Sequence, residues 1–172
     1  MKPPLNPKYT DNIQTPDEAL FPLLPYLKEE WIIWECAKGK GNLVRALERF
    51  GFKVVGTDIL DGLQYDFLSY KLDNFDCIIT NPPYSKKNDF LKRAYSFKKP
   101  FAFLLPLTTF EGRIRQKLFK ENGVEVIFMN KRINFEMPFN KGTGSWFMTA
   151  WFTHGLNIGK EISFYNFDEL KL

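Results

Sequence analysis

The stretch WIIWECAKGKGNLVRALERFG (31–51) joins three patterns that together decide the fold. WIIWEC is a continuous apolar run of strand length, and AKGKG is a tight loop that contains two glycines. In NLVRALERFG, the apolar residues repeat at helical spacing until Gly51, a residue type that commonly ends a helix. The stretch therefore predicts a buried strand, a short loop and a helix.

Strand-like apolar runs alternate with helical patterns along the chain that follows. Further strands are predicted in FKVVGTD (52–58), FDCIIT (75–80), FAFLLP (101–106) and VEVIFM (124–129). Helices are predicted in NDFLKRAYSF (88–97) and EGRIRQKLFKENG (111–123). Because buried strands that alternate with helices form a mostly parallel sheet covered on both faces, we expect a doubly wound α/β fold.

The two ends of this alternation carry more local predictions. Near the start, Thr15, Pro16 and Glu18 form the pattern of a capping box, which predicts a first helix beginning near Pro16. After the last helix, a final pair of strands is predicted near INFE (133–136) and SWFMTAWF (145–152).

Composition predicts one soluble domain. The chain has 172 residues, of which 44% are apolar, enough for a full hydrophobic core. No apolar stretch reaches the roughly 18 residues of a membrane-spanning helix, and the Pro-rich start lacks the apolar centre of a secretory signal. We therefore expect a cytoplasmic protein with no membrane partner, formed by a single domain over residues 1–172 with a loose arm over 1–14. A single histidine and two isolated cysteines, Cys36 and Cys77, predict reduced core thiols and no metal site.

Positive charge is concentrated in one half of the chain. Residues 84–141 contain 13 of the 24 Lys and Arg residues but only 5 of the 20 acids, which gives this segment a charge of +8. The remainder, with 11 basic and 15 acidic residues, carries −4. Such a distribution favours a polyanionic partner such as nucleic acid, although an ordinary solvated surface can show the same fluctuation.

The predicted strands carry polar residues and glycines where they end. In parallel sheets, ligands bind outside the carboxyl ends of the strands. Gly39 and Gly41 allow close backbone approach to a ligand at a helix amino terminus, but a GxG pattern alone is also compatible with a plain tight turn. Asp58 ends the next strand, where a carboxylate can accept hydrogen bonds from both ribose hydroxyls. Together they predict a cofactor that contains adenosine.

The motif NPPY (81–84) follows the third predicted strand. Pro82 restricts Asn81 to extended conformations, and the two prolines form a rigid turn that lacks two backbone donors. The Asn81 side-chain oxygen and the Pro82 carbonyl can then accept both hydrogens of a planar amino group, while Tyr84 stacks on the ring that carries it. These acceptors would draw the amino nitrogen out of conjugation and make it nucleophilic without a strong base.

On these motifs, the chain resembles the S-adenosylmethionine-dependent amino-methyltransferases that modify adenine in DNA, over residues 15–152. The resemblance implies a Rossmann-like class I methyltransferase fold with a seven-stranded sheet whose last strand is antiparallel, and S-adenosylmethionine as the cofactor. NPPY resembles the catalytic tetrapeptide, which makes Asn81, Pro82, Pro83 and Tyr84 the catalytic residues. The motifs QTPDEAL (14–20), ECAKGKG (35–41), GTDI (56–59) and YDFL (65–68) resemble the cofactor-binding segments. The implied cofactor-binding residues are Thr15, Glu35, Ala37, Gly39, Gly41, Asp58, Asp66, Phe67 and Asn81.

Nucleic acid, as DNA or RNA, is the expected partner of a monomer or small homo-oligomer. NKRINFE (130–136) resembles the segment that places an aromatic residue, here Phe135, against an extruded base. The predicted substrate-binding residues are Tyr84, Lys86, Lys87, Arg113, Arg115 and Phe135. Arg113 and Arg115 could equally lie on a solvated helix face. Because flipping a base out of a duplex costs a few kcal/mol, we expect a preference for single strands.

The sequence departs from this family at three points. Cys36 stands where the family has proline, and Lys38 and Lys40 put positive charge near a cationic sulfonium, so we expect these lysines to point outward or to meet phosphate. No separate target-recognition domain is predicted, which implies low or loop-encoded specificity, as in compact enzymes of bacteria and phages. Two alternatives stay open: a methyltransferase acting on a protein glutamine amide, and a binding module without turnover.

Overall fold

The structure, a computed structural model, describes residues 14–135 and 147–169. The described residues form seven β-strands: β1 (Ile32–Glu35), β2 (Lys53–Gly56), β3 (Cys77–Thr80), β4 (Phe101–Pro106), β5 (Glu125–Met129), β6 (Thr149–His154) and β7 (Ile162–Tyr165). They also form three α-helices: α1 (Asn42–Arg49), α2 (Lys87–Ser96) and α3 (Arg113–Asn122). Short 3₁₀ turns cover Asp17–Leu20, Leu24–Tyr26, Ile59–Asp61, Leu63–Tyr65, Tyr84–Lys86, Leu107–Phe110 and Phe167–Glu169.

The strands form one mixed sheet in the order β2-β1-β3-β4-β6-β5-β7. Strands β2, β1, β3 and β4 are parallel neighbours, and β5 is parallel to β7. Strand β6 lies antiparallel between β4 and β5. The predicted fold class, a mostly parallel seven-stranded sheet of Rossmann type, is confirmed, with the difference that one parallel strand follows the antiparallel one.

Helices cover both faces of the sheet, as alternate strand residues point to opposite sides. On one face, Leu43, Ala46 and Leu47 of α1 join a buried cluster with Ile33 and Ile79. On the other face, α2 contributes four buried side chains to a cluster that also contains Trp34, Ile78 and Phe103; these four are Phe90, Leu91, Ala94 and Tyr95. Two continuous cores therefore hold the carboxyl ends of β1 and β3 in place from both sides.

The predicted first helix is wrong in type, and the capping box with it. Asp17–Leu20 and Leu24–Tyr26 are separate 3₁₀ turns, and the first has Pro16 at its N-cap without a side-chain cap. An α-helix cannot continue through Pro22 and Pro25, because proline lacks the backbone N–H that each helical turn requires. Thr15 is left buried at the edge of the sheet.

The strand predicted at INFE (133–136) is also wrong. Residues 133–135 form no strand, and Glu136 lies outside the described residues. Ile133 and Phe135 instead enter the buried cluster on the α1 face, so their apolar character reflects core packing. Strand β7, which the sequence reading missed, takes the edge position beside β5. Residues 1–13 of the predicted arm lie outside the described part, whereas Gln14 is buried.

Among the described residues, no helix is both long and apolar enough to cross a membrane.

Candidate functional site

A cavity of about 590 Å³ opens at the carboxyl ends of β1, β2 and β3. This volume lies within the range of pockets that bind small molecules and cofactors. The cavity brings together eight of the nine residues predicted to bind the cofactor: Thr15, Glu35, Ala37, Gly39, Asp58, Asp66, Phe67 and Asn81. Residues separated by more than sixty positions in the chain thus meet at one edge of the sheet.

The glycine loop between β1 and α1 is a left-handed turn held by side chains from outside it. Gly39 and Gly41 have φ values of +52° and +80°, a region that L-residues with a side chain rarely occupy. A Cβ on Gly39 would lie 2.8 Å from the Gln14 side-chain nitrogen. The Gln14 side-chain oxygen accepts a hydrogen bond from the Lys40 N–H at 3.1 Å. Gly41 forms the N-cap of α1 and does not line the cavity, so its role is to allow the turn between β1 and α1.

Asp58 joins the two loops that enclose the cavity. Its Oδ2 accepts a hydrogen bond from the Gly39 N–H and its Oδ1 from the Leu60 N–H, both at 2.8 Å. Each carboxylate oxygen can accept more than one hydrogen bond, so Asp58 retains acceptor capacity towards the cavity that it lines. A vicinal diol such as that of a ribose would suit this capacity.

Lys38 forms an ion pair across the cavity rim. Its Nζ lies 2.7 Å from Asp61 Oδ2, and its stem runs close to Gly56, where a Cβ would approach Lys38 Cδ to 3.2 Å. Asp61 therefore offsets the charge that the sequence placed in this loop. Lys40 is exposed, in agreement with the expectation that it points outward.

Glu35 is a buried carboxyl group at the end of β1 that lines the cavity. Its Oε1 accepts hydrogen bonds from the Ala37 N–H at 3.0 Å and from the Thr80 hydroxyl. Burial raises the pKa of Glu35 to about 8, although both hydrogen bonds act in the opposite direction, and the nearby Asp58 carboxylate adds to the rise. A buried acid of this kind becomes a strong site for a cation once one arrives. Sequence reasoning identified Glu35 but missed Thr80, which has no motif of its own.

Cys36, the residue that replaces the family proline, also lines the cavity. Burial raises the pKa of its thiol well above the usual value, and the neighbouring Glu35 contributes in the same direction. The thiol therefore stays protonated near neutral pH and packs as a small apolar group. Both cysteines are free and buried, which confirms the prediction of reduced core thiols.

Asn81 presents an unpaired acceptor at this edge of the sheet. Its residue lines the cavity, and its Oδ1 is buried without a hydrogen-bond partner among the described residues. A buried acceptor that lacks a donor costs about 1–3 kcal/mol, so native structures retain few of them. Pro83 also lines the cavity, and Pro82 is buried behind it. The arrangement provides an acceptor for a ligand N–H.

Tyr84 is only 7% exposed, in the 3₁₀ turn that follows the two prolines. Its ring meets the Phe147 ring edge to face, with centroids 5.6 Å apart, and its backbone carbonyl accepts from Lys87 Nζ at 3.0 Å. Phe147 was not singled out in the sequence, where it reads as part of a strand. Stacking of Tyr84 on a substrate ring stays a prediction.

The residues predicted to bind the substrate are dispersed. Lys86 lines the cavity, whereas Arg115 donates to the Thr109 and Glu111 carbonyls and to the Asn88 side chain, tying α3 to the loop before it. Arg113 is exposed at the start of α3. Phe135 is buried in the cluster on the α1 face, and neither it nor the two arginines line the cavity. Their contact with nucleic acid stays a prediction.

Several solved structures resemble this one. A Listeria monocytogenes protein described as a class I S-adenosylmethionine-dependent methyltransferase has a TM-score of 0.60 and 18% identity, covering 92% of this chain and 67% of that one. The methyltransferase subunit of a type I restriction-modification system from Streptococcus thermophilus has a TM-score of 0.54 and 18% identity, covering 96% and 47%. A Pyrococcus horikoshii protein described as an RNA methyltransferase has a TM-score of 0.50 and 14% identity, covering 78% and 77%.

Comparison by sequence adds no closer relationship. No family model matches the chain, and no curated protein matches it at a significant level. At 14–18% identity the structural likeness defines the fold. The chain has the fold of the class I S-adenosylmethionine-dependent methyltransferases.

Proposed function

We propose that this protein binds S-adenosylmethionine in the cavity and transfers its methyl group to the exocyclic amino group of adenine in DNA or RNA. The unpaired Asn81 oxygen carries this proposal, because it offers a buried acceptor where the NPPY motif would hold an amino group. The fold and the +8 charge of residues 84–141 support it independently.

The side chains around the cavity suit the parts of the cofactor. The Asp58 carboxylate can accept from the ribose hydroxyls, and Glu35 offers negative charge for the cationic methionine end. Thr15 adds a polar group beside the glycine loop, while Asp66 and the apolar ring of Phe67 suit the amino edge and the face of an adenine. Bound S-adenosylmethionine supplies an electrophilic methyl group on a positively charged sulfur.

The catalytic residues would prepare the acceptor nitrogen. Asn81 Oδ1 and the Pro82 carbonyl accept its two hydrogens, which localises the nitrogen lone pair and directs it towards the methyl carbon. When the new C–N bond forms, the C–S bond breaks, its electron pair stays on sulfur, and the nitrogen later releases one proton to water. No general base is needed before the transfer. Tyr84 would pack against the base.

Replacing Asn81 tests this assignment. The variant Asn81→Ala should lose methyl transfer by at least about 100-fold, since it removes one of two acceptors at the reacting nitrogen, while its affinity for S-adenosylmethionine changes little. The measurement uses methyl-labelled cofactor with single-stranded and duplex DNA and with RNA. Asn122→Ala, at the exposed end of α3, is the matched control and should behave as wild type.

The same assay separates the two alternatives. Methyl label in protein would favour a protein acceptor such as a glutamine amide, and binding of cofactor without any label transfer would identify a module without turnover. Either result contradicts the proposal. Faster modification of duplex than of single-stranded DNA would contradict the expected preference for unpaired bases.

A further inference from the structure

A buried hydroxyl group connects the cofactor side of the cavity to the NPPY motif. Thr80 is the last residue of β3 and immediately precedes Asn81, and its side chain is completely buried. Its hydroxyl donates to Oε1 of Glu35, the last residue of the neighbouring strand β1. The two residues are 45 positions apart in the chain, so only the parallel pairing of β1 with β3 brings them together.

This hydrogen bond fixes the direction of the Glu35 carboxyl group. The Ala37 N–H and the Thr80 hydroxyl both donate to Oε1, which holds that oxygen between the glycine loop and β3. Neither of these two hydrogen bonds involves Oε2. The second oxygen is thereby left as the one with which Glu35 can meet a ligand in the cavity that it lines.

We propose that Thr80 is a positioning residue that orients Glu35 towards the positively charged end of the cofactor and ties that contact to the placement of Asn81. This inference rests on the cofactor of the proposed function and is independent of the acceptor. Because a hydrogen bond to a charged carboxylate is stronger than one to a neutral group, the Thr80 bond tightens when a bound cation ionises Glu35. The strengthened hydrogen bond then fixes the position of Thr80 and, with it, of Asn81, the first residue of the NPPY motif.

The surroundings of Glu35 allow this coupling to be measured as the release of a proton when a ligand binds. Asp58 is the acidic group whose charge reaches Glu35, and the Cys36 thiol lies beside it in a protonated state. The lysines of the cavity lining are Lys38, which is paired with Asp61, and Lys86 at its exposed rim. Burial holds the pKa of Glu35 near 8, so the free protein keeps a proton there at pH 7 that a cationic ligand must displace.

Thr80→Val tests the role of the hydroxyl, because it removes the donor and keeps the shape. Calorimetric titration with S-adenosylmethionine at pH 6.5 to 9, in buffers of different ionisation enthalpy, measures both affinity and proton release. Wild type should release up to one proton at pH 7 and bind more tightly as the pH rises towards 8. Thr80→Val should bind S-adenosylmethionine about tenfold more weakly than wild type at pH 7. The hydrogen bond from Thr80 lowers the pKa of Glu35, so its loss raises that pKa, and the affinity of the variant should continue to rise at a pH where that of wild type has levelled off.

Two controls separate positioning from packing. Thr80→Ser retains the hydroxyl, so its affinity should stay within about threefold of wild type and its proton release should match that of wild type. Thr153→Val removes another fully buried hydroxyl, in β6, and should leave both unchanged. If Thr80→Val does not fold, Thr80→Ala removes the same donor without a branched replacement.

The possible results are distinguishable. Equal affinity and equal pH dependence in Thr80→Val and wild type would overturn the inference while leaving the cofactor assignment intact. Weak binding by Thr80→Ser, which keeps the hydroxyl donor, would overturn it too, because affinity would then not depend on that hydrogen bond. Failure of wild type to bind S-adenosylmethionine would overturn the proposed function and this inference together.

Discussion

Replacing Glu35 with glutamine should make the ligand-free protein more stable at high pH. The pKa of Glu35 rises from 4.5 to about 8 on burial, so the folded chain holds a proton that the unfolded chain releases in this range. Stability from this group is therefore complete below pH 4.5 and is lost as the pH rises to 8. This difference in pKa corresponds to a loss of at most about 5 kcal/mol in the free energy of unfolding. Such a loss is a large fraction of the stability of a typical domain, about 5–15 kcal/mol.

Glutamine preserves the local geometry while removing this titration. Its side-chain oxygen can accept the same hydrogen bonds from the Ala37 N–H and the Thr80 hydroxyl, and its amide carries no charge to desolvate. The variant and wild type should therefore have similar free energies of unfolding near pH 4.5. Above pH 8, Glu35→Gln should be more stable by several kcal/mol.

Urea unfolding followed by tryptophan fluorescence, at intervals between pH 4.5 and 9, measures the difference directly. Subtracting wild type from variant removes the contribution of every other titrating group. Glu29→Gln is the matched control, because Glu29 is exposed and its replacement should change stability by less than about 0.5 kcal/mol. A difference between Glu35→Gln and wild type that does not change with pH would refute the reasoning.

Three further predictions concern single residues, and a fourth variant is the control for the last of them. Gly39→Ala should weaken cofactor binding in a titration and lower the melting temperature, because it places a Cβ in a left-handed conformation 2.8 Å from the Gln14 side chain. Arg115→Ala should destabilise the fold by about 1–3 kcal/mol in urea, since it leaves loop carbonyls without their donor. If the proposed function holds, Lys86→Ala should lower the slope of log affinity for nucleic acid against log salt concentration by about one, because one phosphate contact is lost. Lys99→Ala should instead lower stability alone, because Lys99 donates to the Phe75 carbonyl and covers its ring.

The central part of the fold was predictable because local and tertiary preferences agree there. Strand β1, the glycine loop and α1 lie where the sequence pattern placed them, since the apolar spacing changes from continuous to helical across two glycines. Strand β7 escaped prediction for the opposite reason. Its four residues, ISFY, lie at the sheet edge, where the apolar Ile162 and Phe164 are exposed and Ser163 is half-buried, so the hydrophobic pattern does not match the pattern of burial.

The site was predictable only where one motif contains the whole feature. NPPY and the glycine loop are each contiguous in sequence, and part of each lines the cavity: Asn81 and Pro83 from the motif, and Ala37, Lys38 and Gly39 from the loop. The Thr80–Glu35 hydrogen bond, the Lys38–Asp61 ion pair and the Tyr84–Phe147 contact join residues that are far apart in sequence or hidden within ordinary patterns. Such pairings depend on strand order and on loop geometry, neither of which residue spacing specifies.

Two unfavourable features occur around one cavity. Glu35 is a carboxyl group buried at the expense of stability above neutral pH, and Asn81 has a buried acceptor that meets no donor among the described residues. Perturbed pKa values and unsatisfied buried groups concentrate at functional sites, where a ligand supplies what the protein lacks. A cofactor with one cationic end and an acceptor base with an amino group would relieve both at once. The same residues that lower the stability of the free protein are therefore those expected to bind and orient its reactants.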